Sequence, residues 1–174
     1  ILRFLFVFLG LSFSIISLAQ TLTISSTGTT SNWSLSGNTL TVTGTANIAS
    51  SVISNALSSG SLSVVGNNTS FTVTVNDPIS STTTGSSLTI GGNGNTGNVT
   101  VNSDITLAGG LTIRGGEVKI NANITSSSTG DIFLKGISGS NISLVLETGK
   151  NILKSGGTGT LTFQSNSRII KNGT

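Results

Sequence analysis

Apolar and polar positions alternate in short phrases along most of this chain, and one phrase recurs with fixed spacing. It has two apolar residues flanking a variable position, then Asn, two further residues and Ile. Its copies begin at Val73, Val99 and Val118. Alternation with a period of two indicates short strands with one buried face. Repetition at fixed offsets is typical of stacked structures, in which every layer offers the next one the same apolar row.

A second phrase, Leu followed two positions later by another apolar residue, recurs between copies of the first. It begins at Leu62, Leu88, Leu111 and Ile132, at intervals of 26, 23 and 21 residues. This period accommodates a rung of three short strands and is too short for a unit with a crossover helix. Turn residues rich in Gly and Asn separate the phrases, so we expect the loops to absorb the differences in length.

These patterns predict an all-β fold, a right-handed parallel β-helix (β-solenoid) in which like residues stack on like. Val75, Val101 and Ile120 are expected to form one interior ladder, and the right-handed winding follows from the general preference of parallel crossovers. An antiparallel sandwich is the competing architecture. Its strands do not repeat one another's sequence, however, and the two-residue Asn-Gly or Asp-Gly turns of hairpins are nearly absent here.

Asparagine follows the apolar pair in all three copies of the first phrase. We expect these amides to stack at a corner of the solenoid, each one bonding to the amide of the next rung. The three residues are Asn76, Asn102 and Asn121. Two looser copies of the phrase have two extra residues before the final Ile, namely Leu144/Leu146/Ile152 and Leu161/Phe163/Ile169.

The chain before the repeats divides into two parts. Residues 1–19 have one base, an apolar run and small residues at the end, which is the pattern of a secretory signal peptide. Serines interrupt the run before it reaches the roughly 18 apolar residues of a membrane-spanning helix, the alternative. Residues 20–60 are expected to form an N-terminal cap and first rung, with Trp33 in the core of the cap and a short helix near 49–58. Residues 61–174 are predicted to be β-helix repeats that are truncated at the C-terminus.

Charged residues are only 7% of the chain, where about a quarter is usual, and neither Cys nor His occurs. This excludes disulfides, His or Cys metal sites and His-based triads. Hydrolases and lyases use carboxylates that converge on one face. Asp77 lies two residues past its strand and Asp104 three, out of register, and Glu117 is placed to pair with Arg114 on the surface. The remaining acids are Asp131 and Glu147. We therefore predict that the protein is not an enzyme and that it has no catalytic residues and no cofactor.

Two further motifs resemble known binding patterns but lack residues that those patterns need. The segment 91–99, GGNGNTGNV, resembles a calcium-binding nonapeptide, but Thr96 stands where the Asp ligand belongs, so we predict a glycine-rich corner loop and no metal. Repeated Thr-x-Thr pairs suggest an ice-binding face. The position between the paired valines reads Thr74, Thr100 and Lys119, so we expect the array to break at the third rung.

Basic residues concentrate in one half of the chain. Seven of the eight lie after position 113, against three of the five acids. Nucleic-acid binding needs bases interleaved with exposed aromatics, whereas Phe133 and Phe163 are expected at apolar strand positions. We predict no nucleic-acid partner. The excess of bases favours ordinary solubility, and attraction to anionic glycans or to the acids of a neighbouring coil is the alternative.

The segment Ile48–Gly60, IASSVISNALSSG, followed by Asn-x-x-Ile rungs and by GDI at 130–132, resembles the filamentous-haemagglutinin-like β-helical adhesins of Gram-negative bacteria. The resemblance covers roughly residues 40 to 170, and the Ala-Gln at positions 19 and 20 is similar to signal-peptide ends in secreted proteins of Bacteroidetes. It implies a secreted or cell-surface, adhesin-like solenoid segment, exported across the inner membrane, that presents an extended surface to a receptor or glycan. It also implies further β-helix rungs of the same polypeptide and an anchoring domain. The alternative is a fragment of a carbohydrate-active β-helix lyase or hydrolase.

Overall fold

The computed structural model describes residues 20–29, 31–138 and 143–172. The predicted signal peptide at 1–19 lies outside the described residues. The elements are, in chain order, β1 Thr21–Ser25, β2 Trp33–Ser36, β3 Thr39–Val42, β4 Thr45–Ala49, α1 Ser50–Ser59, β5 Leu62–Gly66, β6 Thr72–Val75, β7 Ile79–Ser81, β8 Ser87–Ile90, β9 Val99–Val101, β10 Ile105–Leu107, β11 Gly110–Gly115, β12 Val118–Ile120, β13 Ile124–Ser126, β14 Ile132–Gly136, β15 Leu144–Leu146, β16 Ile152–Lys154, β17 Leu161–Ser165 and β18 Ile169–Lys171.

The strands form three sheets that the chain visits in turn. Sheet A has the order β18-β15-β12-β9-β6-β1-β4, sheet B has β17-β14-β11-β8-β5-β3-β2, and sheet C has β16-β13-β10-β7. From β6 onward, successive strands enter sheets A, C and B in strict rotation. From β8 onward, each strand pairs in parallel with the strand one rung earlier. The predicted parallel β-helix is confirmed, and the antiparallel sandwich is excluded.

The interior consists of apolar columns that run along the solenoid axis. Val75 pairs with Val101, and Val101 pairs with Ile120, as the sequence predicts. All three side chains are fully buried, and the rungs are about 4.8 Å apart. The column continues beyond the predicted ladder, because Ile24 pairs with Val75 on the N-terminal side and Leu146 pairs with Ile120 on the other. Each such side chain contributes about 1.5–3 kcal/mol by leaving water.

The sequence pattern groups Leu161, Phe163 and Ile169 with the first phrase, and this prediction is wrong. Leu161 and Phe163 lie in sheet B, where they pair with Ile132 and Leu134 and so continue the second phrase. Ile169 lies in sheet A opposite Leu144, and not in sheet C. The error has a physical cause: the two phrases share the apolar-x-apolar core, and only the spacing of the loops tells one from the other.

The N-terminal part of the fold departs from chain order. The first strand, β1, lies between β6 and the later strand β4 in sheet A, while β2 and β3 form a hairpin that ends sheet B. This hairpin is the one antiparallel pairing among the described strands. Trp33 begins β2, is partly buried against the core, and donates its indole N–H to the Thr29 carbonyl at 2.7 Å.

Helix α1 occupies Ser50–Ser59, one residue later at each end than the sequence predicts. It packs against β7, the edge strand of sheet C, and buries Ile53 and Leu57 there. The helix therefore stands where another strand of sheet C would pair with β7. Its first residue, Ser50, donates its hydroxyl to the Asp77 carboxylate in the loop before β7.

The predicted asparagine ladder is present at the corner between sheets A and C. Asn102 Nδ2 donates to Asn76 Oδ1 at 2.8 Å, and Asn121 Nδ2 donates to Asn102 Oδ1 at 2.7 Å. Every amide therefore donates toward the N-terminal end. The ladder stops at Asn121, whose Oδ1 is buried without a partner, because the same position of the next rung holds Glu147, a side chain with no N–H.

Replacing Val101 by Asp should lower the free energy of unfolding by about 3 kcal/mol or more, because an unpaired carboxylate would be buried in the central column. Thr100→Asp is the matched control: Thr100 points outward beside Lys119, where a negative charge is neutral or slightly favourable. Urea unfolding followed by circular dichroism measures both. Equal midpoints for the two variants would contradict the assigned register.

Asn102→Ala should cost about 1–3 kcal/mol, because it breaks two ladder bonds and leaves an Asn76 oxygen and an Asn121 N–H unpaired. Asn93→Ala is the control, since that exposed corner residue has no side-chain hydrogen bond among the described residues, and its cost should stay within about 0.5 kcal/mol. Thermal and urea unfolding of the two variants provide the comparison. If Asn102→Ala unfolds like the control, the ladder has no energetic role.

Candidate binding surface

The carboxylates act mainly as contacts between neighbouring rungs. Asp77 accepts the Ser50 hydroxyl, Asp104 accepts the Asn123 backbone N–H at 2.8 Å, and Asp131 accepts the Thr160 N–H at 2.7 Å. Asp104 occupies the position that Pro78 holds one rung earlier, so it is one place out of register with Asp77. These oxygens are therefore occupied by structural contacts at corners of the solenoid.

Glu147 takes the place of an asparagine in the corner ladder. Its Oε1 lies 2.9 Å from Lys119 Nζ, and its Oε2 accepts a hydrogen bond from Asn172 Nδ2 at 2.9 Å. The hydrogen bond from Asn172 and then the bond and charge of Lys119 lower the pKa of Glu147 below its ordinary value of 4.5. Glu147 and Lys119 form the one ion pair among the described residues, so Arg114 and Glu117, whose spacing allows a surface pair, do not form one.

The glycine-rich segment 91–99 forms a corner loop whose polar groups are used internally. Asn95 is buried, accepts the backbone N–H groups of Phe71 and Gly97 at 3.1 Å each, and donates to the Arg114 carbonyl at 3.2 Å. Gly91 has φ of +79°, and a Cβ there would meet that same carbonyl at 2.1 Å. The motif therefore joins three rungs at one corner. Among the described residues, no cluster of acidic side chains is arranged to hold a metal ion.

The threonines on the outer face of sheet A end where the sequence predicts. Thr74 pairs with Thr100, and Thr100 pairs with Lys119, so the column of hydroxyls stops at the third rung. Thr23 of the out-of-order strand β1 adds one member on the N-terminal side. Beyond Lys119 the column becomes apolar with Val145 and Ile170.

The outer face of sheet B bears two cations side by side. Arg114 of β11 pairs in register with Lys135 of β14, and the Arg114 guanidinium lies over the Phe133 ring at 5.5 Å from its centroid. We call Arg114, Phe133 and Lys135 the basic patch. The prediction that Phe133 occupies an apolar strand position is wrong: it lies between the inward residues Ile132 and Leu134 and therefore points outward.

A cleft of about 230 Å³ adjoins the basic patch. Arg114 and Lys135 form one wall, and the corner residues Asn93–Asn95, Ile137 and Asn166 form the rest. A second cleft, about 330 Å³, lies where strands β8, β11 and β14 of sheet B begin, and is lined by Ser86, Thr129 and Asp131 among others. The sequence indicates the excess of bases in this half of the chain, but it does not indicate that two of them adjoin a cleft.

Apolar side chains are exposed at the C-terminal end of the described solenoid. Ile169 is 51% exposed, Phe163 42% and Leu161 39%, because these inward positions belong to β17 and β18, the last strands of sheets B and A. A wholly apolar cleft of about 140 Å³ opens there between Ile120, Leu144 and Phe163. The interior columns are thus accessible at this end.

Parallel sheets of stacked rungs define the protein as a β-solenoid. Comparison with protein-family models, with curated proteins and with solved structures finds no match for this chain. In the part of the chain that the structure describes, no helix has the length and hydropathy needed to span a bilayer.

Acid should destabilise the fold partly through Glu147 and Asp131. Hydrogen bonds from Asn172 and Thr160, respectively, depress the pKa values of these carboxyls below 4.5 and 3.8. Because the unfolded chain takes up these protons first as the pH falls, their contribution is full above pH 4.5 and is lost as the pH passes through the lower folded-state values.

Glu147→Gln should weaken the pH dependence of stability, measured as the difference between the urea midpoints at neutral pH and below pH 4.5. Its amide can also donate to the unpaired Asn121 oxygen, so the loss at neutral pH should be small. Glu117→Gln is the control, since the Glu117 carboxylate has no hydrogen bond or ion pair within the described chain. A parallel flattening in both variants would contradict the assignment.

Proposed function

We propose that this protein is an adhesin-like solenoid segment that acts by presenting a long, ordered surface for attachment at the cell surface or after secretion. The observation that carries the proposal is the regular outer surface of sheets A and B. Outward positions there recur at every rung, about 4.8 Å apart, on a backbone fixed by fully buried columns. A repeated, rigid surface of this kind suits contact with an extended partner.

The distribution of polar groups also favours attachment over turnover. The carboxylates of Asp77, Asp104 and Asp131 are engaged with other rungs, whereas the two cations of the basic patch contact no acid. The clefts beside sheet B, at about 230 and 330 Å³, lie at or below the low end of the roughly 300–1,000 Å³ of small-molecule sites. A partner larger than the clefts, such as a receptor or a glycan chain, fits this surface better than a small substrate.

The sequence supplies the cellular setting of the proposal. The signal-peptide pattern at 1–19 and the resemblance to filamentous-haemagglutinin-like repeats both suit export. Secreted solenoids need no cysteine or histidine when their rungs are held by apolar columns and amide ladders, as here. Further rungs of the same polypeptide would lengthen the surface in the same register.

Binding and turnover assays separate this proposal from its rival, a carbohydrate-active β-helix enzyme. We expect the purified chain to bind immobilised glycans or extracellular-matrix proteins and to release neither reducing sugar nor unsaturated uronate from polysaccharides. Binding should persist in Asp104→Asn and Asp131→Asn. Turnover that either variant abolishes would overturn the adhesin proposal in favour of the enzyme.

A further inference from the structure

Arg114 and Lys135 are like charges in directly opposite positions of two paired strands. Such a pair is destabilising, and the described residues place no hydrogen bond or ion pair on either side-chain head. Asp131 lies four residues before Lys135, just ahead of β14 and about 13 Å away, and its carboxylate is held by Thr160. That distance exceeds the Debye length of about 8 Å at physiological salt. Glu117, three residues after Arg114, forms no ion pair with it, so neither cation of the patch is paired with an acid among the described residues.

The geometry of the patch favours a planar anion. Phe133 holds the Arg114 guanidinium over its ring, which orders the side chain and reduces the entropy lost on binding. A guanidinium donates two parallel N–H groups to a carboxylate, and the Lys135 ammonium beside it adds a point charge and rotatable donors. An anionic group that lies between the two cations would relieve their repulsion.

The adjoining cleft indicates what the anion is attached to. Asn95 and Asn166 already donate to carbonyls of Arg114 and Ile137, whereas the exposed Asn93 amide has no partner within the described residues. Asn93 is thus available to sugar hydroxyls at the rim, and Ile137 supplies an apolar wall. The cleft volume, about 230 Å³, is below that of a site for a free small molecule. One unit of a longer chain fits these features.

We infer that the basic patch and its cleft bind a uronic-acid unit of an acidic polysaccharide, with Arg114 and Lys135 on the carboxylate and Asn93 on a hydroxyl. The inference rests on the proposed attachment function and names its ligand class. Nucleic acid suits the site less well, because the Phe133 ring face is occupied by Arg114 and is not free to stack a base.

The test uses the full 174-residue chain with polygalacturonate, dextran sulfate, neutral dextran and single-stranded DNA as probes in solution. We expect binding to polygalacturonate, weakening with added salt, and little binding to neutral dextran. The double variant Arg114→Gln/Lys135→Gln should lose at least about tenfold in affinity. The affinity of Arg114→Lys should lie between those of the parent and the double variant, because Lys keeps the charge but lacks the two parallel N–H donors of Arg.

Lys150→Gln/Lys171→Gln is the matched control, since it removes the same charge outside sheet B and should change affinity by less than about twofold. Circular dichroism and thermal melting verify folding. The Arg114/Lys135 double variant should melt no lower than the parent, because it removes a repulsive pair.

Four outcomes overturn the inference. Equal losses in the two double variants would mean attraction by net charge alone, and tighter binding of DNA or dextran sulfate would exclude a carboxylate-specific site. Absence of polygalacturonate binding in a chain that still binds matrix proteins or other glycans would refute this site while leaving the proposed function intact. Absence of all binding would refute both.

Discussion

The in-register stacking of like side chains between parallel strands is the constraint on which the rest of this structure depends. Because each rung lies about 4.8 Å from the next, an apolar residue in one rung must meet an apolar residue in its neighbours. Val75, Val101 and Ile120 satisfy that condition with complete burial. A shift of one position would turn every buried side chain to the solvent, so the register is strongly specified.

Corners impose a second condition, since the chain must turn three times per rung without leaving buried polar groups unpaired. Amides meet this requirement: the side chains of Asn102 and Asn95 each join three successive rungs. An asparagine both donates and accepts, so it can continue a ladder indefinitely, whereas Glu147 only accepts and therefore leaves the Asn121 oxygen unpaired. This explains how a chain with so few charges, rich in Asn, Ser and Thr, forms an ordered fold.

The sequence predicts the regular part of the fold because its period is short and its apolar offsets repeat. The solenoid, the ladder at Val101, the asparagine corner and helix α1 could all be predicted in this way. The position of β1 between β4 and β6 could not, since a single strand placed out of chain order leaves no periodic signal. Leu161 and Phe163 were misassigned because the two phrases share one core pattern, which only pairing to Ile132 and Leu134 resolves.

The candidate site was less predictable for a related reason. Inward positions are constrained by the neighbouring rungs, but outward positions are free to vary, so they show no repeat that a sequence pattern can detect. The sequence indicated an excess of bases after position 113, yet only the register between β11 and β14 makes Arg114 and Lys135 neighbours. The outer columns are broken at single positions, as Lys119 interrupts the threonines of sheet A and Phe133 those of sheet B. The buried columns fix the positions of these outward residues but do not determine which amino acids occupy them.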